Sequence, residues 1–383
     1  MNRRDFLQAA AATGVLSWLP ASANAAANYQ KTLILVELKG GNDGLNTVIP
    51  YADAQYAALR PRLAIPRDQV LQLDASTGLH PSLAALMPLW QAGEMAVVRG
   101  VGYPSANLSH FRSIEIWDTA SKSSEFLQEG WLARSFAQSP VPRSFAADAV
   151  VVGSPELGPF SGRGVRAIAL TSTEQFLQQA KLAAPSGQAH NVSLNHILRV
   201  EQDIVQAAAG LNTNHVFRTV FPQTGFGNAI RTAAQVVASR SGVAALKVSL
   251  NGFDTHSGQL GTHARLLKDM ADGLAALKAA MMELGRWDNT LVATYAEFGR
   301  RPRENNSAGT DHGTANSHFV LGGRVKGGLY GQALALDRLD GDGNLLFAVD
   351  FRDIYATVLE RWWGINANAA LRGRFAPLDF VKI

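Results

Sequence analysis

The sequence predicts an α/β fold built on a mostly parallel sheet with helices on both faces. Apolar runs rich in Val, Ile and Leu recur along the chain, which is typical of strands that are buried on both sides. Segments with helical periodicity separate these runs, and this alternation favours parallel strands joined by helical crossovers. The predicted strands are residues 31–38, 94–101, 147–152, 165–170, 243–251, 290–296 and 318–321.

The clearest helix candidate is a segment from about residue 264 to residue 284. Its apolar side chains recur with the spacing that places them on one stripe of a helix. The stripe consists of Leu266, Leu267, Met270, Leu274, Leu277, Met281 and Leu284. Thr262 is a possible N-cap. The neighbouring His263 is either a further metal ligand or a surface residue, and we expect it at the protein surface.

Residues 172–241 have a different character. They are richer in Gln, Ala and Asn, and two helical patterns, about 194–209 and 227–239, follow one another without a convincing strand. We interpret this region as a helical insertion or cap on the sheet. The sequence therefore predicts one α/β domain, residues 26–383, with a helical insertion at about 172–241.

Residues 1–25 have the three parts of a twin-arginine export signal. Arg3 and Arg4 precede an aromatic residue and a leucine, a short alanine-rich apolar stretch covers residues 9–19, and a small-residue cleavage site ends at Ala25. The alternative is a basic start to an ordinary helix. We expect the twin-arginine export machinery to deliver the folded chain to the periplasm or out of the cell.

Composition excludes several classes of function. The chain has 383 residues, of which 47% are hydrophobic, enough for a sizeable core. It has no cysteine, which excludes disulfides, thiolate metal ligands and a cysteine nucleophile. The formal net charge is +4 without any block of Lys and Arg interleaved with aromatic residues, so we expect no nucleic-acid partner. No stretch after the signal is long enough to anchor the mature chain in a bilayer.

Common metal-ligand residues follow several of the predicted strands. Because the carboxyl ends of parallel strands meet at one edge of a sheet, these residues are expected to lie close together. Asp254 and His256 follow the strand 243–251, and an Asp-X-His pair on irregular backbone can direct a carboxylate and a neutral imidazole at one ion. The other residues of this kind are Asp43, Glu297, Asp311 and His312.

A positively charged residue also lies near these acids in the sequence. Arg300 follows Glu297 at a distance suited to binding an anion. The alternative is that each acid is a cap or turn residue, a role for which Asp, Asn and Gly are the usual choices.

Ser109 is a candidate nucleophile. It precedes a helical pattern that has Phe111, Ile114 and Trp117 on one side. A serine at a helix N-terminus lies where backbone N–H groups favour a phosphate or sulfate, and a nearby metal ion would lower the pKa of its hydroxyl. The alternative is an ordinary N-cap, since serine is a preferred residue at that position.

Together these segments form an ordered series of short motifs. The motifs are Gly40-Gly41-Asn42-Asp43-Gly44-Leu45-Asn46, Ser109-His110-Phe111, Phe253-Asp254-Thr255-His256, Glu297-Phe298-Gly299-Arg300, Gly309-Thr310-Asp311-His312-Gly313 and Asp350-Phe351-Arg352. In this order they resemble the signatures of the bacterial exported family called domain of unknown function 1501. The resemblance covers essentially the whole mature chain.

That family is similar to the alkaline phosphatase and sulfatase superfamily, whose members have a parallel-sheet α/β fold, one or two divalent metal ions at the strand ends and a Ser or Thr nucleophile. The resemblance implies an alkaline phosphatase-like fold. It also implies one metal site formed by Asp254, His256 and His312. A second site would be formed by Asp43 and Glu297, with Ser109 between the two.

The sequence departs from the superfamily pattern in two places. Phe298 replaces the histidine that commonly follows the carboxylate at the position of Glu297. The second metal site therefore has few ligands, and is either absent or calcium-like. The formylglycine pattern of sulfatases requires Pro and Arg after the reactive residue, whereas Phe111 and Ser113 hold those positions after Ser109. Formylglycine chemistry is therefore not expected.

These observations favour an exported hydrolase of phosphate or sulfate esters that depends on a metal ion and uses Ser109 as its nucleophile. Arg300 would bind the anion, and one or two divalent ions (Zn, Mn, Mg or Ca) would be the cofactor. The substrate would be a small-molecule or glycan ester. The alternatives are a non-catalytic envelope protein for binding or assembly that retains a structural metal, and a metal-dependent transferase similar to phosphomutases.

Overall fold

The structure is a computed structural model that describes residues 27–181, 191–211, 215–239 and 241–382. The predicted export signal and its cleavage site lie outside the described residues. Among the described helices, none has both the length and the apolar character needed to cross a membrane.

The strands follow the apolar runs of the sequence. They are β1 (Thr32–Lys39), β2 (Val48–Ile49), β3 (Leu71–Gln72), β4 (Gly78–Leu79), β5 (Met95–Gly102), β6 (Ala147–Val152), β7 (Ala167–Leu170), β8 (Val243–Asn251), β9 (Thr290–Tyr295), β10 (Arg300–Glu304), β11 (Thr310–His312), β12 (Asn316–Leu321), β13 (Gly328–Tyr330) and β14 (Val349–Asp350).

The α-helices lie mostly between consecutive strands of the main sheet. They are α1 (Gly44–Thr47), α2 (Ala54–Leu59), α3 (Met87–Gln91), α4 (His110–Thr119), α5 (Trp131–Gln138), α6 (Thr173–Ala180), α7 (Val192–Leu211), α8 (Gly225–Val237), α9 (Gln259–Glu283), α10 (Phe351–Thr357) and α11 (Ala367–Leu371).

Nine strands of the described chain form one sheet. Its order is β13-β5-β12-β9-β1-β8-β6-β7, and β14 also pairs with β5. Every pairing in it is parallel except those of β12, which runs antiparallel to both β5 and β9. Since β5 and β9 are each antiparallel to β12, they run in the same direction. The carboxyl ends of β5, β9, β1 and β8 therefore lie at one edge of the sheet.

Both faces of the sheet are buried. Alternate residues of a strand point to opposite faces, and in β1 Ile34 and Val36 join one apolar core while Leu33 and Leu35 join the other. Helices α8 and α9 cover the first face, and α4, α5 and α10 cover the second. The predicted fold class, a mostly parallel sheet with helices on both faces, is confirmed.

All seven predicted strands are found in this sheet, with ends that differ by at most two residues in the chain numbering. The long helix is also found, but it begins at Gln259, five residues earlier than predicted. Gly258 is its N-cap, so the prediction of Thr262 as the cap is wrong. The prediction that His263 lies at the surface is also wrong, because its side chain is buried under the sheet edge.

The described residues between β7 and β8 form α6, α7 and α8 and no strand. Helix α8 packs its apolar side against α9 and β8 through Phe226, Ile230 and Ala233, which are buried. The predicted division into one α/β domain with a helical insertion stays a prediction.

Candidate metal centre

The candidate site lies at the edge where β1, β8 and β9 end. Glu37 of β1 is paired in register with Ser249 of β8 and Tyr295 of β9, so the loops that follow these strands are neighbours. The loops after β1 and β8 approach very closely at Gly40, whose φ is +114°. A Cβ at Gly40 would lie 2.4 Å from the backbone nitrogen of Asp254, so only glycine fits there.

Three imidazoles and one carboxylate converge at this edge. Oδ1 of Asp254 lies 3.1 Å from Nε2 of His256 and 3.2 Å from Nε2 of His312. Those two imidazole nitrogens are 3.0 Å apart. Nε2 of His110, the first residue of α4, lies 3.4 Å from Oδ2 of Asp254. The cluster therefore joins the loops after β5 and β8 with the strand β11.

The tautomer of each imidazole follows from the partner of its other nitrogen. Nδ1 of His312 is 2.8 Å from the carbonyl oxygen of Leu108, which can only accept, so Nδ1 carries the proton. Nδ1 of His110 is 2.8 Å from Oε1 of Glu297 and must also donate. Nδ1 of His256 faces the carboxylate of Asp311 at 3.4 Å. In the neutral form, all three Nε2 atoms are then acceptors.

Four acceptors facing one another repel unless a cation or added protons lie between them. Nε2 of His110 is buried and has no hydrogen-bond partner among the described residues. Ligands at about 2.0–2.1 Å from a tetrahedral divalent ion are about 3.3 Å apart, close to the observed separations of 3.0 to 3.4 Å. His110, Asp254 and His312 each direct one ligand atom to within 4.8 Å of the others. The residues present therefore fit a divalent metal ion.

Arg300 holds the central carboxylate in place. Its guanidinium lies 2.6 Å from Oδ1 of Asp254, and its other donors go to the carbonyl oxygens of Gly40, Gly41, Phe253 and Thr310. Partial burial opposes ionisation of Asp254, but the hydrogen bond and the charge of Arg300, together with the hydrogen bond from His312, outweigh it and lower the pKa of Asp254 to about 2. Asp254 is ionised at neutral pH, as a metal ligand must be.

Arg300 faces the protein interior rather than the open side of the cluster. Its side chain is 0% exposed, whereas that of Asp254 is 46% exposed. The sequence placed Arg300 in contact with a bound anion, but the structure places it behind Asp254. Its geometry is that of a positioning residue.

Glu297 lies behind His110. Oε1 accepts hydrogen bonds from Nδ1 of His110 and from the backbone N–H of Gly40, at 2.8 and 2.9 Å. The hydrogen bond to Glu297 raises the pKa of His110, with burial acting in the opposite direction. Glu297 thus takes the place of the carboxylate that commonly orients a metal-binding histidine, rather than that of a ligand.

Asp43 lies in a separate buried network. It caps α1 and accepts two hydrogen bonds from the guanidinium of Arg60, at 2.6 and 3.0 Å, and another from Gln259. Nearby, Nε2 of His263 is 2.9 Å from Oδ1 of Asn42. The structure does not bring Asp43 into the cluster, because both of its carboxylate oxygens already have donors.

Ser109 is the N-cap residue of α4, as the sequence predicted. Its side chain makes no capping hydrogen bond, and the residue is exposed. It lies between Leu108, whose carbonyl accepts from His312, and His110, whose Nε2 faces Asp254. The first-turn N–H groups of α4 have no side-chain cap, which leaves them directed at the region beside the cluster.

His110 is the residue of this cluster that the sequence interpretation missed as a ligand, although it belongs to the motif Ser109-His110-Phe111. A usable signal was present: a histidine in the first turn of a helix that follows a buried strand, β5. Asp254, His256 and His312, which were predicted, are brought together.

The sequence matches the model of the family described as "Protein of unknown function (DUF1501)" over residues 69–372. The chain belongs to this family. It matches none of the curated proteins. The resemblance inferred from the motifs is therefore confirmed.

Solved structures with similar folds are found as well. A protein of the alkaline phosphatase superfamily from Vibrio parahaemolyticus is 12% identical, with 90% of this chain and 69% of that chain covered and a TM-score of 0.43. The lipoteichoic acid synthase LtaP from Listeria monocytogenes is 11% identical, with 91% and 76% covered and a TM-score of 0.41. The sulfatase PsFucS1 from Pseudoalteromonas sp. is 11% identical, with 91% and 70% covered and a TM-score of 0.42. No activity is carried over from these proteins.

Proposed function

We propose that this protein is an exported, metal-dependent hydrolase of phosphate or sulfate esters. One observation carries the proposal: His110, Asp254 and His312 each direct one ligand atom to within 4.8 Å of the others, and Nε2 of His256 lies beside Asp254 and His312. Such a group of acceptors suits a divalent cation, and three imidazoles with one carboxylate are typical ligands of Zn²⁺.

A divalent ion held there would supply positive charge that lowers the pKa of a nearby hydroxyl and stabilises an oxyanion as it forms. The exposed side of Asp254 and His256 leaves room for a substrate to approach. The buried side, closed by Arg300 and Glu297, fixes the ligands in place.

Ser109 is the nucleophile in this proposal. Its Oγ forms a bond to phosphorus or sulfur while the bond to the ester oxygen breaks, and the alcohol leaves with a proton taken from water. The proton of the serine hydroxyl is released to solvent. Uncapped N–H groups in the first turn of α4 would bind the non-bridging oxygens of the ester. Water then hydrolyses the covalent intermediate and regenerates Ser109.

The test combines elemental analysis with activity on the same sample. Protein purified without chelators should contain about one divalent ion per chain, and it should hydrolyse at least one of 4-nitrophenyl phosphate, bis(4-nitrophenyl) phosphate and 4-nitrophenyl sulfate. His256→Ala should lose both metal and activity. His215→Ala is the control and should keep both metal and activity. Nε2 of His215 lies 3.5 Å from Glu283, the last residue of α9, and His215 does not belong to the cluster.

Two outcomes would refute the proposal. One is metal-free protein that cannot be loaded with Zn²⁺, Mn²⁺, Mg²⁺ or Ca²⁺. The other is hydrolysis that survives in His256→Ala at the rate of the parent protein. Protein that holds a metal ion but hydrolyses none of the esters would favour the non-catalytic alternative.

A further inference from the structure

A cavity of about 460 Å³ adjoins the candidate metal centre. It lies between α4 and the segment 156–161, and His110 and Glu297 form the part of its wall that it shares with the centre. Its other lining residues include the acids Glu37 and Asp118, which take no part in the proposed chemistry. This volume is sufficient for an organic group the size of a sugar ring.

Glu37 at the base of the cavity has an unused acceptor. Its side chain is 1% exposed, and Oε2 accepts from the hydroxyl of Ser249 at 2.7 Å and lies 3.3 Å from Nζ of Lys247. Oε1 is buried and accepts no hydrogen bond from any described residue. A buried carboxylate oxygen without a donor is costly, and a water molecule or a donor on a ligand in the cavity would match it.

Four more carboxylates line the same cavity, those of Glu115, Asp118, Glu156 and Glu297. Asp118 of α4 is contacted by the hydroxyl of Tyr295 at 3.4 Å, and burial raises its pKa to about 7, with Lys247 opposing the shift. Oε2 of Glu297 is also buried and has no partner among the described residues. The cavity is therefore rich in carboxylates, and two of their oxygens, one on Glu37 and one on Glu297, have no donor among the described residues.

Gly158 keeps this base open. A Cβ at this position would lie 2.9 Å from Oδ2 of Asp118 and 3.0 Å from Nζ of Lys247. Its φ of +54° also favours glycine. Any side chain at residue 158 would fill the space in front of Asp118.

The outer part of the cavity is apolar. Phe111 of α4 is 90% exposed, an unusual exposure for a phenylalanine beside a polar site. Ile114, Leu127 and Leu157 complete this apolar wall. The cavity thus has acceptors at its base and an aromatic and aliphatic entrance.

A second metal ion does not match this arrangement. Among the described residues, His110, Asp254 and His312 are the group of three whose ligand atoms come within 4.8 Å of one another, and the carboxylates of the cavity form no such group. A free anion does not match it either, because five of the lining residues are acids, and the lining lysine, Lys39, is paired with Glu156 at 2.8 Å. The complement of these acids is an organic group with hydrogen-bond donors.

We propose that this cavity binds the organic group of the ester, and that this group is a ring with an apolar face and hydroxyl or ammonium donors, as in a sugar or an amino sugar. The donors contact Glu37 and Asp118, the apolar face packs against Phe111, and the ester is thereby directed toward Ser109. The inference rests on the proposed function, since it names the substrate class of the same site.

The test is calorimetric titration with three phosphate esters of similar size. They are glucosamine 6-phosphate, glucose 6-phosphate and cyclohexylmethyl phosphate, whose ring has no donors. The first two should bind at least about tenfold more tightly than the third, because the donor-free ring leaves buried acceptors unmatched. A glucosamine ester that binds more tightly than the glucose ester identifies ammonium as the donor, and equal affinities identify the hydroxyls. A cyclohexylmethyl ester that binds equally well or better overturns the proposal.

Gly158→Ala should reduce the preference for glucosamine 6-phosphate over the cyclohexylmethyl ester by about tenfold, since the new methyl group obstructs Asp118. Gly164→Ala is the matched control: its φ is +78°, but a Cβ there meets no atom within 4 Å. It should change the preference less than about twofold. Equal effects of the two variants would contradict the proposal. Asp118→Asn, which keeps the shape of the side chain, should also reduce the preference if Gly158→Ala does not fold.

The titrations should be run on the protein as purified and after chelation. A preference for the donor-bearing rings that persists in protein without metal or activity supports the cavity while refuting the hydrolase. Hydrolysis of esters without any preference among the three rings refutes the cavity while supporting the hydrolase.

Discussion

Two clusters of acids and histidines lie at the same edge of the sheet. They differ in whether their hydrogen-bond acceptors are paired with donors. In the first, Asp43 is buried and every oxygen of its carboxylate meets a donor from Arg60 or Gln259. In the second, Asp254 and the histidines around it present acceptors to one another, and half of the Asp254 side chain is exposed.

The comparison shows how a structural cluster is told from a ligand site. Donors matched to acceptors make a network that is complete by itself. Acceptors that face acceptors are stable only when a cation or added protons lie between them. Both clusters contain the residue types that a search for metal ligands would select, so composition alone does not separate them.

The largest expected effect concerns the first cluster. Arg60→Met should lower the free energy of unfolding by about 3–5 kcal/mol, because it leaves the buried carboxylate of Asp43 without its partner. Urea denaturation of the chelated protein measures this. Lys39→Met is the control, since the side chains of the Lys39–Glu156 pair are 42% and 60% exposed, and this ion pair should contribute about 1 kcal/mol or less. Similar losses in the two variants would show that Asp43 is not held by Arg60.

Acidification should change the free energy of unfolding differently in the parent protein and in Arg60→Met. Burial opposes ionisation of Asp43, but Arg60 outweighs it and holds the pKa of Asp43 below its usual value of 3.8. Because the folded-state pKa is depressed, this stabilisation is present above pH 3.8 and is lost as the pH falls through and below that value. Without Arg60, burial alone raises the pKa, so the variant should lose less stability on acidification. Unfolding measured between pH 3 and pH 7 gives the slope for each protein, and equal slopes would contradict this assignment.

The next effect belongs to the second cluster. Saturating Zn²⁺ should stabilise the parent protein by about 2.7 kcal/mol when free metal is at 100 times its dissociation constant. In His312→Ala this stabilisation should disappear. When a chelator has removed the metal, however, the variant should be as stable as the parent or more stable, because it lacks one of the acceptor atoms that face one another in the cluster. Thermal unfolding with and without metal measures both differences, and a large loss of stability in chelator would place His312 in a structural network.

A smaller effect should follow from Glu297→Gln. This change removes the carboxylate that orients His110, which typically weakens metal binding by about 10- to 100-fold. Glu297 also raises the pKa of His110. Metal affinity in the parent should therefore begin to fall above the usual histidine value of about 6.5 as the pH is lowered. In the variant this fall should begin at lower pH. Metal titrations between pH 5 and pH 8 test both points, and an unchanged affinity and pH dependence would exclude the assigned role.

The smallest expected effect on stability is that of Ser109→Ala. A serine that caps a helix contributes about 1 kcal/mol, but the side chain of Ser109 makes no capping hydrogen bond. The variant should therefore lose less than about 0.5 kcal/mol and keep its metal ion, while ester hydrolysis is abolished. Retained hydrolysis with a loss near 1 kcal/mol would assign Ser109 to the cap.

The sequence was sufficient to predict the sheet but only part of the site. The strands were found because they are buried on both faces and so are continuously apolar, and Asp254, His256 and His312 were found because they follow those strands. Tertiary partners could not be read from the sequence. Arg60 reaches Asp43 across 17 residues, and Arg300 reaches Asp254 from the interior across 46, so neither contact follows from local spacing.

His263 shows the same limit at one residue. It was placed at the start of the long helix and expected at the surface, but α9 begins at Gln259 and the side chain is buried. There its Nε2 contacts Asn42. Burial lowers the pKa of His263 to about 4, so the imidazole is neutral at pH 7, and its contact with Asn42 places it in the structural network.

The hydrogen bonds of the Arg300 guanidinium should affect both the rate and the thermodynamics of metal binding. It joins the loops after β1 and β8 to Thr310 of β11 through contacts that involve no ion. The loops that hold Asp254, His256 and His312 are then already ordered when an ion arrives, and little conformational entropy is lost on binding. Association should be limited by dehydration of the ion rather than by loop closure, with a heat-capacity change far smaller than that of a site which folds around its metal.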